Sequence, residues 1–518
     1  MIVKKVYLLI LLLLCFSCKT KQTIPIDKDD GKIEIVVLQI NDVYEIAPLP
    51  GDDLGGLARV ATLKKRLTKK NKNTILVIAG DFLSPSVIGT LEDRAGNDIR
   101  GKHMIETLNH SGLDIAIFGN HEFDIKEEDL QLRLNESEFD WVCSNIFYAK
   151  DSKLGPFYKM RSGVEQYIPK IITRTFSDSD GTHLKLGIFA VTLADKVACH
   201  VIYEDPIETA KQMTTDLENQ NVDMILPITH LDLVDDKKLA RVIPKFPLII
   251  GGHDHNHMSV QVGKTTITKA DANAKTAYVH TISYDKKTRN IKVASKLVKI
   301  DKSIASDPEV AKIVKKWKDI AYEDLKKKGF EPNAKVIDLK ESLDGTEKTI
   351  RGGQAKLGEI ITGAIFKAGR KNPDLALTNS GSIRVDDKLD GTLTQYDIIR
   401  ILPYSGEIWE IEIKGELLKR ILKVGEESIN KGAYIQRKNV EYDKTSKTFK
   451  VNGKLIDSGK IYTVALNDFM LSGYDYKWLT KKTEGIIKIH KPEMIDGKKT
   501  DDVRHDIRKA VIQFLKNK

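Results

Sequence analysis

Apolar residues in the first half of the chain fall into short runs, each closed by a few polar residues. Ile33–Ile40, Thr74–Ala79, Leu113–Phe118, Val222–Ile228 and Phe246–Ile250 are such runs, rich in Ile, Val and Leu and of strand length. Unbroken apolar runs of this kind belong to strands covered on both faces. Leu57–Leu67 and His103–His110 instead repeat their apolar residues at helical spacing. Strands alternating with helices predict an α/β domain. Residues 259–300 alternate apolar and polar, as in Ile291–Val298, and predict antiparallel strands that complete that domain. Asp307 and Pro308 then read as N-cap and first residue of a helix that runs to about Lys328 and stops at Gly329. Beyond it the alternation resumes. Leu357–Ala368 has helical spacing, Asp374–Thr378 is a strand, and Val511–Leu515 belongs to a closing amphipathic helix. The chain thus divides into a first domain over 32–300, an interdomain helix over 301–330 and a second domain over 331–518. Two large domains suit 518 residues, since each can bury a full core.

Composition adds two exclusions. Charged residues are 30% and hydrophobic ones 41%, as in a soluble globular protein rather than a disordered or membrane-spanning one. The formal charge of +10 comes from lysines dispersed along the chain, with no interleaving of arginines and aromatics. No nucleic-acid surface is therefore expected.

The N-terminus is a targeting segment. Lys4 and Lys5 precede the apolar run Val6–Leu14, and Leu14-Cys15-Phe16-Ser17-Cys18 follows. A small residue before a cysteine after such a run resembles a bacterial lipoprotein signal. It predicts a signal peptide over 1–17, lipidation at Cys18 and a polar tether over 18–31. The expected location is the bacterial cell envelope, lipid-anchored, periplasmic or surface-exposed. Cys15 and Phe16 depart from the usual signal, which leaves ordinary export as the alternative. The mature chain retains Cys143 and Cys199 besides Cys18, too few for a disulfide framework.

The chemistry lies where the apolar runs end. They are closed by Asn41-Asp42-Val43-Tyr44, Gly80-Asp81, Gly119-Asn120-His121-Glu122-Phe123-Asp124, Thr229-His230 and Gly251-Gly252-His253-Asp254-His255. In α/β sheets, sites form at this C-terminal edge. Asp42, Asp81, Asn120, His121, His230, His253 and His255 together mix oxygen and imidazole ligands. That mixture suits a pair of divalent cations ~3.5–4 Å apart, bridged by one carboxylate. Asp42 or Asp81 alone would read as a helix cap, and His230 alone as a turn residue. Five strand ends of the same layout leave those readings little room. A histidine with a carboxylate three residues on, His121 and Asp124, also suits a general acid steadied by its partner.

These segments, in this order, resemble the pattern of the calcineurin-like metallophosphoesterases: Asp-x-His, Gly-Asp, Gly-Asn-His-Glu, His and Gly-His-x-His. Gly119–Asp124 is similar to the form found in the 5′-nucleotidase / UDP-sugar hydrolase branch. The resemblance implies a four-layer α/β/β/α domain of two facing sheets. It also implies that Asp81 bridges two divalent metals (Zn, Mn or Fe), that Asp42 and His255 hold the first, and that Asn120, His230 and His253 hold the second. His121, positioned by Asp124, would protonate the leaving oxygen as a metal-bridging hydroxide attacks phosphorus.

One position departs. Where the family has Asp-x-His, this chain has Asp42-Val43-Tyr44. A neutral phenol is a poor ligand, with an unperturbed pKa near ~10. Either the first metal binds with fewer ligands, or His257 or a water fills the gap, or Tyr44 ligates as phenolate, or hydrolysis is lost.

The second domain resembles the α/β C-terminal domain of the 5′-nucleotidases. Asn379-Ser-Gly-Ser-Ile-Arg384 matches its Asn-Gly-Gly-x-Ile-Arg motif, and Arg384 offers a fork for phosphate. Gly432-Ala-Tyr434-Ile-Gln436 implies Tyr434 as one base-stacking ring. Ser472-Gly-Tyr-Asp475-Tyr476-Lys-Trp478 implies Asp475 and a second ring, Tyr476 or Trp478. The whole resemblance implies a dinuclear 5′-nucleotidase-like phosphohydrolase of nucleotide catabolism. The alternatives are a 2′,3′-cyclic-nucleotide phosphodiesterase, another substrate of the family such as a thiosulfonate, or a degenerate surface protein that only binds nucleotide or metal.

Overall fold

The computed structural model describes residues 29–49, 53–150, 153–194 and 198–518. The expected signal peptide, Cys18 and all but the end of the tether lie outside the described residues.

The first domain contains two six-stranded sheets. One runs, in spatial order, Asn290–Lys299, Thr276–Asp285, Lys32–Ile40, Thr74–Ile78, Ile115–Ile117 and Asp140–Val142. The other runs Met258–Val262, Thr265–Lys269, Leu248–Gly251, Met224–His230, His183–Thr192 and Ile171–Ser177. The strands that end in the polar clusters pair parallel within each sheet.

Their side chains split by the two-residue period of a strand. Ile33, Ile35 and Val37 face the second sheet and pack with Leu186, Ile188, Leu226 and Ile228. Leu38 and Ile40 face the other way, into a layer with Leu57, Val60, Met104 and Leu108 from the helices Leu57–Lys70 and Lys102–Ser111. Helices Pro206–Asn219 and Leu233–Val242 cover the far face of the second sheet through Met213, Leu217 and Leu239. The result is the expected helix–sheet–sheet–helix stack, built because both faces of each sheet are apolar.

The strands of 259–300 form two antiparallel hairpins that divide between the two sheets. Met258–Val262 and Thr265–Lys269 extend the second sheet, and Thr276–Asp285 and Asn290–Lys299 extend the first. The chain crosses between sheets at Ala272–Ala274, where Asn273 has φ 58°. Ile282 and Tyr284 can then enter the core between the sheets.

The helix Pro308–Lys327 begins as expected: the Asp307 carboxylate accepts from the backbone N–H of Glu309 and Val310. It packs on the two helices of the first sheet. Its Trp317 and Leu325, with Phe330, belong to an apolar cluster that continues through Ile361, Ile398 and Val511 of the second domain. That second domain has one five-stranded sheet, in spatial order Ile435–Lys438, Leu375–Asn379, Ile461–Asn467, Ile408–Lys414 and Ile486–His490. Continuous apolar packing between the domains sets how the loop after Leu375–Asn379 meets the first domain.

Candidate active site

The C-terminal ends of the two sheets meet with almost no space between their backbones. A Cβ on Gly252, which follows the second sheet's Leu248–Gly251, would lie 2.1 Å from the carbonyl of Ala79, which follows the first sheet's Thr74–Ile78; within the first sheet, one on Gly119 would lie 2.1 Å from Oδ1 of Asp81. Three of the expected ligands have left-handed backbone, Asp42 (φ 53°), Asp81 (φ 55°) and His253 (φ 78°). Such conformations cost about 1–3 kcal/mol each and persist where the surroundings over-determine them. Here they turn each side chain out of its strand direction and into one cluster.

Asp81, His230 and His253 bring a ligand atom each to within 4.8 Å of one another. Nε2 of His230 lies 3.1 Å from Oδ2 of Asp81 and 3.2 Å from Oδ1 of Asn120. On the other side of that ring, Nδ1 is 2.8 Å from the carbonyl of Ala79. Donation to that carbonyl fixes the tautomer and leaves the Nε2 lone pair toward the cluster, the arrangement of a metal-ligating histidine. Burial opposes charge on His230, yet the Asp81 and Asp42 carboxylates outweigh it and raise its pKa to about 9. A cluster that draws a proton so strongly is one with surplus negative charge, and a cation satisfies the same demand. The donor set therefore fits divalent metal. Asp42 joins through its carboxylate, which accepts from the backbone N–H of His253 at 3.0 Å and has Oδ1 3.5 Å from Nε2 of His255.

Tyr44 enters this cluster directly. Its hydroxyl lies 3.3 Å from Oδ2 of Asp81 and 3.1 Å from Nε2 of His255. Burial first, and then the charges of Asp81 and Asp42, push the phenol well above its ordinary value. The His257 ring pairs with Asp271, with Nδ1 2.8 Å from Oδ2, on an exposed loop.

His121 and Asp124 come together as expected, Nδ1 to Oδ2 at 2.7 Å. Arg384 of the second domain reaches the same pair: Nη2 donates to Oδ2 of Asp124 at 2.8 Å and lies 3.1 Å from Nδ1 of His121. A cavity of about 750 Å³ opens beside them and is lined by Asp124, Asn379, Arg384, Asp475 and the rings of Tyr404, Phe469 and Tyr474, among others.

The expected stacking rings do not line the cavity. Tyr434 is 2% exposed, and its hydroxyl accepts from Gln354. Tyr476 is also buried, donates to the carbonyl of Ala433 and stacks on Trp478, which in turn lies under Arg420. Both rings are core residues of the second domain. The aromatic residues that line the cavity are Tyr404, Phe469 and Tyr474, 46%, 40% and 79% exposed, and the last two have ring centroids 5.6 Å apart.

Three supporting residues were not singled out by sequence. Glu122, wholly buried, accepts from the backbone N–H of Asp81, Phe82, Leu83 and Gly119, and so ties two ligand loops together. Burial and the Asp81 charge raise its pKa to about 7. Lys269, also buried, has Nζ within 2.8 Å of the carbonyl of Gly252 and of Asp236, and 2.6 Å from Asp254. It turns Asp254 away from the cluster, so that only His253 and His255 of that tripeptide face it. Gln39 donates to the carbonyls of Gly251 and Thr268 and locks the two sheets together just below the site.

Residues 35–257 match the model of the calcineurin-like phosphoesterase family, and residues 334–481 match that of the 5′-nucleotidase C-terminal domain. The chain carries a calcineurin-like phosphoesterase domain followed by a 5′-nucleotidase C-terminal domain. It is 24% identical over 518 residues to a trifunctional nucleotide phosphoesterase of Bacillus subtilis, an alignment covering 88% of this chain and 33% of that protein. It is 24% identical over 434 residues to the 5′-nucleotidase of Bos taurus, covering 75% of this chain and 71% of that one. The chain therefore spans about a third of the Bacillus subtilis relative. Among solved structures, a 5′-nucleotidase precursor from Thermus thermophilus superposes with a TM-score of 0.67 at 19% identity, over 94% of this chain and 96% of that one. At that identity the likeness is one of fold. Calcineurin-like phosphoesterases use divalent metals, in keeping with the ligand cluster of this chain.

Proposed function

We propose that this calcineurin-like phosphoesterase is an exported 5′-nucleotidase-like hydrolase with two metals, which releases phosphate from nucleotides at the domain interface. Export and lipid anchoring rest on the sequence of residues 1–18 alone. The observation that carries the reading is that Arg384 of the second domain meets the His121–Asp124 pair beside the cavity, while the backbone N–H of His121 donates to Oδ1 of Asp81 in the ligand cluster at 2.8 Å. When bound, the divalent cations supply an activated water and neutralise the phosphoryl oxygens. Asp81, 3.1 Å from Nε2 of His230 and 3.3 Å from the Tyr44 hydroxyl, would be the ligand shared by the two cations. Asp42 and His255 would hold the first cation, and Asn120, His230 and His253 the second. Arg384 would take the substrate phosphate through two N–H donors, exchanging Asp124 for it. Nε2 of His121, the nitrogen opposite the one held by Asp124, would give its proton to the departing ribose oxygen. Phe469 and Tyr474 would take the base, and Asn379 and Asp475 the sugar.

His121→Ala tests the assignment. Turnover on AMP is expected to fall by roughly 10²–10⁴ while metal content is kept. Unchanged turnover would remove His121 from the chemistry.

A second reading is favoured by Tyr44, whose hydroxyl stands where a ligand is expected. With a weakened first position, the chain would bind nucleotide without hydrolysing it. Hydrolysis of cyclic nucleotides or thiosulfonates would use the same groups, and a phosphate- and sulfate-release screen separates these substrates.

A further inference from the structure

The two histidines that anchor the halves of the cluster are oriented from different places. Nδ1 of His230 meets the Ala79 carbonyl, within the first domain. Nδ1 of His255 meets the second domain: the carbonyl oxygen and Oδ2 of Asp386 both lie 3.0 Å from it. Asp386 is itself pinned. Its Oδ1 accepts from the backbone N–H of Glu347 at 2.6 Å, and its backbone is left-handed at φ 38°. It stands two residues past Arg384, so one loop of the second domain reaches both the acid pair and the ligand cluster.

The halves also differ in completeness. Asp81, His230 and His253 already gather their ligand atoms. Asp42 and His255 face each other at 3.5 Å, with the Tyr44 hydroxyl between Asp81 and Nε2 of His255. The half with the weaker donor set is the half whose histidine is held from outside the domain.

We propose that Asp386 is a positioning residue: it holds His255 with Nδ1–H donated to the second domain and Nε2 turned toward Asp42. The first cation position is then complete only when the second domain is seated on the first. An outer carboxylate that orients a ligating histidine typically changes metal affinity by roughly 10–100-fold when removed. This inference rests on the two-metal reading. It makes metal loading respond to the domain contact, which Tyr44 alone would not.

The test uses the full chain, stripped with chelator and titrated with Mn²⁺, with affinity read by calorimetry and stoichiometry by elemental analysis. Wild type is expected to bind two ions. Asp386→Ala is expected to keep the tighter ion unchanged and to bind the other about 10–100-fold more weakly. Asp386→Asn retains an acceptor oxygen and is expected to fall between the two; it gives the same readout should Asp386→Ala not fold. Asp387→Asn is the control, because Asp387 also bridges the domains, to Lys275 at 2.8 Å, without touching His255; it should bind both ions as wild type does. Wild-type affinities in both Asp386 variants would overturn the inference alone. Equal loss in Asp387→Asn would overturn the specific role of Asp386. A wild type that binds a single ion would overturn the two-metal reading and this inference with it.

Discussion

Nη2 of Arg384 lies 2.8 Å from Oδ2 of Asp124, the same carboxylate oxygen that meets Nδ1 of His121 at 2.7 Å. The two residues come from different domains and are 260 positions apart. One oxygen therefore steadies the candidate acid and holds the candidate phosphate clamp until a substrate displaces it. Arg384→Lys keeps the charge but loses the planar fork. It is expected to lower kcat/KM for AMP by roughly 10–100-fold, mostly through KM, whereas Asp124→Asn should act mostly on kcat. Steady-state kinetics separate the two. The reverse pattern would mean that Arg384 serves the dyad rather than the phosphate.

Tyr44 should weaken the first cation position. Tyr44→His replaces a phenol with an imidazole at a place 3.3 Å from Asp81. The variant is expected to hold the ion of the first position more tightly by about tenfold or more, as read by metal titration. Loss of metal on that substitution would show that the phenol oxygen is itself a ligand.

The aromatic pair at the cavity should carry base recognition. Tyr474→Ala and Phe469→Ala are each expected to raise KM for AMP by up to about tenfold, the equivalent of ~1.4 kcal/mol of ring contact, with little change in thermal midpoint. Tyr434→Ala removes a buried ring and should instead cost stability, on the order of 3 kcal/mol. If Tyr434→Ala raised KM without loss of stability, the stacking role would return to Tyr434.

Two buried histidines away from the site set an acid limit. His103 beside Ser86, and His280 beside Gln39 and Ser295, are both lowered to about 3, the first by burial and the Arg133 charge and the second by burial. Between about 6.5 and about 3 the unfolded chain binds more protons than the folded one at these positions, so stability falls as pH falls. At pH 5 the loss is on the order of 2 kcal/mol for each histidine. His103→Gln and His280→Gln should each flatten the decline of the thermal midpoint between pH 7 and pH 5. An unchanged slope in both would place the acid sensitivity elsewhere.

Much of the site was legible because each ligand stands at the end of an apolar run. Asp42, Asp81, Asn120, His121, His230, His253 and His255 are all found by that rule, and the structure gathers them. Arg384 was legible from its motif. What escaped was whatever depends on a partner distant in sequence. Glu122 reads as one letter of a motif, but its work is to accept four N–H groups from two loops. Lys269 reads as one of many lysines, yet it is buried between Asp236 and Asp254. Tyr434 shows the limit of counting along the chain. The count gives its place in the motif but not the side its ring faces, and the ring points into the core. The strands of 259–300 show the same limit for the fold, since alternation predicts strands without saying which of two sheets each one joins.

The central claim is that this site hydrolyses nucleotide phosphoesters with bound metal. Its most direct test is phosphate release from AMP by purified wild-type protein, before chelation, after chelation and after Mn²⁺ or Zn²⁺ is returned. The account predicts release that chelator abolishes and metal restores. Release that persists through chelation, or none from any nucleotide with any metal, would contradict it.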